Sequence, residues 1–568
     1  MELTTILSFV FFTGLVAALT WWITRGKGTD SEEGFFLAGR SLTGVVIAGS
    51  LLLTNLSTEQ LVGLNGGATE QGLSIMAWEV IAGCSLVVMA LVFLPRYLRS
   101  GIATIPQFLE ERYGAGVRAL TTGIFIVAYM LILLPFVLFS GARALSGMLD
   151  LPAQLGLSDS ATIWLVVAFI AIVGSAYAIF GGLRAVAVSD TFNGLGLLVG
   201  GVMITFFALN HAAGEGGSIF SVFGEIREQN PDAFVSIGKE GEDVHWPTLF
   251  TGVLLLNFFY WCSNQQIIQR TLGAKNLAEG QKGVLLAAFF KILAPFILII
   301  PGIVALHIAM GDPAFNETLL KPDGTRDGSK VYGALVRLVL PPALTGFFAA
   351  VVVGSILSTF NSVLNSSATL FSLGVYKKVI NPGASTQQVV KSGRVCSAVV
   401  AVFAAIAAPA VFMGRDSIFD YFQSLNGVYF IPLACIILVG MFNKRVNGQT
   451  AMIAATLGLV VMLWGTFFDG TVKPVAEVVE NGVVVTAAVE GRDGWVKSIF
   501  GSGYHFMGAV FIGLVALQLG LGQFMRRETP YVQADAGAVD LTPWKYAKPV
   551  GIGLITTVLL IYFLLRNG

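Results

Sequence analysis

The chain has 568 residues, of which 55% are hydrophobic and only 12% charged, and its mean hydropathy is +0.77. A soluble domain normally carries about twice that charge fraction, so an ordinary soluble enzyme or binding module is excluded. The formal net charge of zero carries no information on nucleic acid, which is not expected as a partner.

Apolar runs of about 20 residues recur from end to end, each long enough to cross about 30 Å of hydrocarbon as a helix. Helices satisfy the backbone where no water can, and no alternating strands of an outer-membrane barrel are evident. Fourteen spans are predicted, at roughly 2–24, 42–64, 73–95, 119–148, 160–180, 184–210, 247–269, 283–308, 331–376, 393–413, 417–442, 449–468, 503–524 and 549–565. The first begins Met-Glu-Leu without a basic leader and reads as a retained span rather than a cleaved signal peptide. Arg25, Lys27, Arg96, Arg99, Arg112, Arg270, Lys275, Lys377, Lys378, Lys444, Arg445, Arg526 and Arg527 gather in alternate loops. The positive-inside rule makes those loops cytoplasmic and puts both termini outside, in the periplasm of an inner-membrane protein. Segments 211–246, 309–330 and 469–502 then become small outer caps, and 528–545 a polar cytoplasmic linker.

Polar interruptions inside spans carry the functional signal, because an anchoring span has no use for them. In span 2 the run Thr54-Asn55-Leu56-Ser57-Thr58-Glu59-Gln60, followed by Gly63, Gly66 and Gly67, predicts a helix unwound in mid-membrane. A loop between two shorter spans is the alternative, but residues 42–53 are too few to cross alone. Span 9 carries Ser355, Ser358, Thr359, Asn361, Ser362, Asn365, Ser366 and Ser367. Hydroxyls at 355, 358 and 362 share one face; they suit a hard cation, or simply bond to their own helix and its neighbours.

Two charges lie deep. Glu79 sits about 10 Å inside span 3, and Lys291 about 12 Å inside span 8 from the opposite face. They approach the midplane to within about 8 Å along the membrane normal. A polar ligand, a structural ion pair, or a lysine snorkelling toward water would each account for them. Span 7 reads Asn257-Phe258-Phe259-Tyr260-Trp261-Cys262-Ser263-Asn264-Gln265-Gln266. Its rings suit the C–H face of a hydroxylated ligand and its amides the hydroxyls. Gln423 in span 11 adds an amide. Asp190 in span 6 is a helix-end carboxylate or a second cation ligand. Cys84, Cys262, Cys396 and Cys435 lie in apolar segments without CxxC spacing and read as packing residues. His211, His245, His307 and His505 show no metal spacing, and no nucleophile–base pair marks an enzyme.

Several stretches together are distinctive. They are Phe36-Leu37-Ala38-Gly39-Arg40-Ser41 leading into Asn55 to Gln60, and Gly181-Gly182-Leu183 with Ser189-Asp190-Thr191. Tyr260-Trp261 with Gln269-Arg270-Thr271-Leu272 and Ala274-Lys275, and Asn365-Ser366 with Thr369-Leu370-Phe371 and Tyr376, complete the set. Over about residues 35–445 the chain resembles the sodium:solute symporter family, in particular its sodium/sugar cotransporter branch. The resemblance implies an all-α polytopic membrane protein of LeuT type, with two inverted five-helix repeats at 42–210 and 247–442. Residues 1–41 would be an extra helix and loop, 211–246 a periplasmic loop, and 443–568 three further helices. It also implies sodium held by carbonyls of Leu53, Leu56 and Ser355 with hydroxyls of Ser358 and Thr359. A second sodium would fall at Asp190, Ser358 and Ser362. Sugar contacts would be Asn55, Gln60, Glu79, Asn257, Lys291 and Gln423, with Tyr260, beside Trp261, stacking as an inner gate. Two positions depart from that pattern. Ala82 replaces a serine that contacts galactose in the bacterial galactose member, so galactose does not follow from the resemblance. Asn361 stands where other members place a second-site serine. The expected function is alternating-access import of a hexose with sodium. The same fold carrying inositol, sialic acid, proline or pantothenate is the nearest rival, and an uncoupled receptor or channel a more distant one.

Overall fold

The computed structural model describes residues 3–25, 31–240, 242, 244–321, 324–415, 418–471, 478–480, 483–486 and 492–568. For 176–182, 478–480 and 483–486 only the backbone course is described, which includes the Gly181-Gly182 pair. Met1, Glu2 and Lys27, used in the orientation and leader readings, lie outside the described residues. The described chain is helical apart from one antiparallel pair, Val478–Glu480 with Val483–Thr486, inside the predicted outer cap.

Among the described residues ten helices are long and apolar enough to cross a membrane, or eleven if the pair Leu277–Leu293 and Pro295–Gly311, bent by 46°, is one span. The expected fourteen are not reached by length and apolarity, and the physical reason is local. Expected spans 2 and 7 are broken into pieces too short to qualify, such as Gly44–Asn55, while the expected spans at 160–180 and 184–210 lie on one helix, Asp159–Ala213, of which Leu183–Ala213 qualifies. Span 2 is broken as predicted: Gly44–Asn55 ends at Leu56 (φ −73°, ψ 62°) and Thr58–Gln71 begins after an extended Ser57. Span 7 is also broken, which the sequence reading does not anticipate. Leu254–Ser263 stops at an extended Asn264 (φ −71°, ψ 124°), and Gln265–Leu272 resumes on a new path. The expected span 331–376 is interrupted at Leu340-Pro341, separating Gly328–Val339 from the long helix Pro342–Thr369. Consecutive prolines at 341 and 342 cannot continue a helix from upstream. Arg337, expected within a span, therefore ends the short helix, half exposed, and pairs with Asp150 at 3.1 Å.

Among the described residues the core is one large apolar cluster with a small second one around Phe35, Phe36, Ala368, Val389 and Val390, while large side chains such as Phe11, Trp21, Phe169 and Phe403 project outward, as a lipid-facing surface requires. The first helix, Leu3–Thr24, lies on the flank of Pro342–Thr369, with Thr5 Oγ1 and Ser8 Oγ donating to the carbonyls of Pro342 and Ala343. Gly72 (φ +59°) turns the chain after the second half of span 2; a Cβ there would stand 2.7 Å from the carbonyl oxygen of Ala233, in the segment expected as an outer cap. The motif Ala38-Gly39-Arg40 is a run of left-handed residues (φ +54°, +62° and +46°). Two of those three are not glycine, a strained arrangement that the surroundings must hold. Arg40 supplies the hold, donating to the carbonyls of Leu272 (3.2 Å) and Gly101 (2.7 Å) and pairing with Glu33. The same turn brings Leu42 into backbone bonds with Gly273 and Lys275. The motif thus fastens the start of span 2 to the end of span 7.

Candidate functional site

Both breaks sit in the centre of the bundle, and their exposed backbone groups find side chains from other helices. At the first, Ser355 Oγ lies 3.4 Å from the Leu56 carbonyl and Thr359 Oγ1 lies 3.1 Å from that of Thr54. Breaking the helix frees the carbonyls of its last turn, and the hydroxyl face of Pro342–Thr369 meets them. Ser358 Oγ, next to Thr359 in the chain and buried, makes no hydrogen bond of ordinary length among the described residues and faces the Asp190 carboxylate. An unsatisfied buried hydroxyl costs free energy, and next to freed carbonyls it is an oxygen available to a hard cation. Leu53, Leu56, Ser355, Ser358 and Thr359, the five expected sodium ligands, are all buried, and the Ser355–Leu56 and Thr359–Thr54 contacts bring their two segments together.

At the second break, Tyr129 donates to Asn264 Oδ1 and accepts from the Gln266 backbone N–H at 3.1 Å. The amide of Gln266 donates to Tyr260 Oη at 3.0 Å, fixing that ring.

Between the breaks lies a cavity lined by Asn55, Glu59, Gln60, Trp78, Glu79, Leu133, Leu256, Asn257, Tyr260, Trp261, Phe422, Gln423, Asn426 and Phe430. Seven of the eight expected solute contacts are on this wall. The eighth, Lys291, is fully buried just behind it, donating to Asn55 and pairing with Glu79 at 2.5 Å. Its ammonium also sits 5.4 Å from the centre of the Trp261 ring. Glu79 and Lys291, expected to approach from opposite faces, thus form a buried ion pair, the structural alternative raised for them, and that pair borders the cavity. Gln60 Oε1 is buried without a partner. Gln423 accepts from Asn426 at 3.1 Å, and Asn257 donates to its own helix at Val253. The free space is about 40 Å³, little more than one water occupies in the liquid, so a sugar-sized solute needs the walls to part.

The residues expected for a second cation also come together, with an addition. Arg270 is completely buried; its Nη2 donates to Ser362, its Nε donates to Ser50 at 2.8 Å, and it lies 3.6 Å from Asp190 Oδ2. Ser50 also donates to Asp190 at 2.6 Å. A guanidinium therefore stands where the second ion was expected. Sequence reasoning placed Arg270 among the loop cations and in the Gln269-Arg270-Thr271-Leu272 stretch without a role at the site, and it gave none to Glu59, Trp78 and Asn426, which the fold brings to the cavity. Trp78, on the cavity wall, packs edge-on to Phe419 (5.7 Å) and near Tyr504 (5.8 Å). Beyond these rings a space of about 1060 Å³ opens among Trp246, Ser424, Asp469, Lys497 and His505. Among the described residues no cluster of three or more His, Cys, Asp or Glu could hold a metal, and the four cysteines are free.

The family model for sodium:solute symporters matches residues 35–458. An uncharacterized symporter of Escherichia coli (strain K12), YidK, is 41% identical over 560 residues, covering 98% of this chain and 90% of its own. The sodium/glucose cotransporter of Vibrio parahaemolyticus is 31% identical over 474 residues, covering 81% and 85% respectively. The solved structure of a Na⁺-coupled sialic acid symporter superposes with a TM-score of 0.73 at 16% identity, covering 94% of this chain and 99% of that one. At that identity the superposition speaks for the LeuT-type fold alone.

Proposed function

Since the chain belongs to the sodium:solute symporter family, we propose that it imports a neutral, sugar-like solute together with sodium by alternating access. One observation carries this reading. The break in span 2 brings the Leu56 and Thr54 carbonyls to Ser355 and Thr359, and the flanking side chains Asn55 and Gln60 to the amide-lined cavity. A cation bound between break and hydroxyls would fix the half-helices, and so order the groups that meet the solute. Ion and solute then stabilise one arrangement of the same element, which is what coupling requires.

The solute contacts in this reading are Asn55, Gln60, Glu79, Asn257 and Gln423, with Tyr260 and Trp261 against the apolar face and Lys291 holding Asn55 and Glu79 in place. A hexose or inositol suits this lining, because amides both give and accept hydrogen bonds. The sodium/glucose cotransporter among the relatives favours the hexose; Ala82 weakens the case for galactose. Arg270 beside Asp190 and Ser362 supports transport of one sodium per solute, with the second position open only if the guanidinium leaves. The two breaks, one in each half, support inverted repeats at about 42–210 and 247–442. In this scheme the protein sits in the inner membrane with both termini outside, and the large space above Trp78 is the approach from the periplasm.

Trp78 and Trp261 line the cavity, so tryptophan fluorescence of the purified protein reports binding. Titration with glucose, galactose, myo-inositol, sialic acid and proline, with and without sodium, tests the reading. A saturable sodium-dependent response to glucose or inositol is expected. A response only to proline or sialic acid, or one indifferent to sodium, would overturn it.

A further inference from the structure

Glu59 is the one charged group on the cavity wall, among the described residues, without an ion pair of its own; the cation that acts on it, Lys291, is already paired with Glu79. It is the second residue of the half-helix Thr58–Gln71, only 4% exposed, and its carboxylate accepts a hydrogen bond from Ser57 Oγ. No described basic side chain forms an ion pair with it, whereas Glu79 is neutralised by Lys291 at 2.5 Å. Glu59, Glu79 and Lys291 together therefore set two carboxyl groups against one ammonium at the cavity.

Its position adds meaning to the charge. The start of a helix carries the positive end of the helix dipole and unsatisfied N–H groups, and favours an anion there. In transporters with broken helices such an end commonly faces an anionic group of the substrate. Here the chain puts its own carboxylate at that end. At the opposing end, where Gly44–Asn55 finishes and the dipole is negative, it puts an ammonium, because Lys291 Nζ donates to Asn55 Oδ1. Both poles of the break are thus filled from within. What remains for a ligand are neutral hydrogen-bonding groups, including Gln60 Oε1, buried and without a partner, which needs a donor such as a hydroxyl.

We propose that Glu59 is a specificity-determining residue, a tethered carboxylate that holds the anion position of the broken helix and so admits neutral hydroxylated solutes while rejecting carboxylate-bearing ones. The proposal rests on the solute cavity assigned above and goes further by naming the residue that excludes acids, zwitterionic amino acids included. Rejection arises because a second carboxylate would be desolvated next to the first, a repulsive device of the kind that sets specificity.

D-glucose and D-glucuronate differ by a carboxylate in place of the terminal CH₂OH and make a matched pair of probes. The experiment measures inhibition of sodium-driven uptake of labelled glucose or myo-inositol by unlabelled glucose and by glucuronate. It uses proteoliposomes of the full chain, Glu59→Gln and Glu59→Asp. Glucuronate should inhibit the natural protein at least about tenfold more weakly than glucose. Glu59→Gln, which keeps the shape and an acceptor for Ser57, should shrink that gap about tenfold, and Glu59→Asp should preserve it. A residue that merely supports the fold would change expression or maximal rate without moving the ratio of the two inhibition constants. If glucose or inositol is carried but the ratio is the same in the natural protein and Glu59→Gln, the role of Glu59 is overturned and the sugar cavity stands. If proline or glucuronate is carried in preference to both neutral probes, the neutral-solute reading falls, and this proposal with it.

Discussion

Replacing Lys291 by methionine removes the ammonium from a site where both partners of the ion pair are almost wholly buried: the lysine side chain is 0% exposed and that of Glu79 2%. With an effective dielectric of about 20, a pair of charges roughly 2.5 Å apart attract by on the order of 6 kcal/mol, much of it offset by desolvation. Deleting one member leaves an uncompensated carboxylate in the interior, and such deletions cost about 3–5 kcal/mol. Asn55 Oδ1 loses its donor as well, and the Trp261 ring loses its cation. Lys291→Met should therefore lower the melting temperature of the detergent-solubilised protein by several degrees. Lys291→Met combined with Glu79→Gln should recover most of that loss, since the charge stranded on Glu79 is then gone. Solute binding should remain impaired in the double variant, because Glu79 and Asn55 line the cavity. Thermal unfolding of the four proteins, read beside tryptophan fluorescence titrations, measures both effects. A single Lys291→Met variant that melts like the natural protein would refute the reasoning, because the pair would then not be desolvated.

Ser358→Ala with Thr359→Ala should raise the sodium concentration for half-maximal uptake by about tenfold, the loss of roughly 1.4 kcal/mol of ion binding, while the protein still elutes as a folded species. Gln423→Ala should weaken solute binding by about fivefold, near 1 kcal/mol for a lost hydrogen bond, and change sodium affinity less; equal losses in both would contradict its place on the solute wall. The sodium dependence of uptake should be hyperbolic, because Arg270 already pairs with Asp190; a sigmoidal dependence would show a second ion displacing it.

The interruption of span 2 is legible in the sequence because seven consecutive, largely polar residues cannot face lipid, and the fold unwinds there. The interruption of span 7 is less so. Asn264 sits in a run of amides flanked by aromatics, with no glycine or proline to mark the change of direction, and its partner Tyr129 is remote in sequence. The Leu340-Pro341 break did carry a signal, since two successive prolines end a helix wherever they fall. Most of the cavity could be read from its amides and buried charges. Glu59 was lost within the polar run that contains it, because neighbouring Gln60 offers an equally polar side chain and only the fold shows which charges lack partners. Arg270 was hidden by its place at the cytoplasmic end of an apolar segment, where a basic residue reads as a topology signal. That its side chain turns inward to Asp190 and Ser362 is a tertiary fact.

The most direct test of coupled import is uptake of labelled glucose and myo-inositol into proteoliposomes holding the purified chain, with an inward sodium gradient, with equal sodium on both sides, and with potassium in its place. Transient accumulation of one of them above its external concentration, only under the sodium gradient, is the predicted result. Equilibration that ignores the gradient would contradict coupled symport and leave a passive pathway through the same cavity.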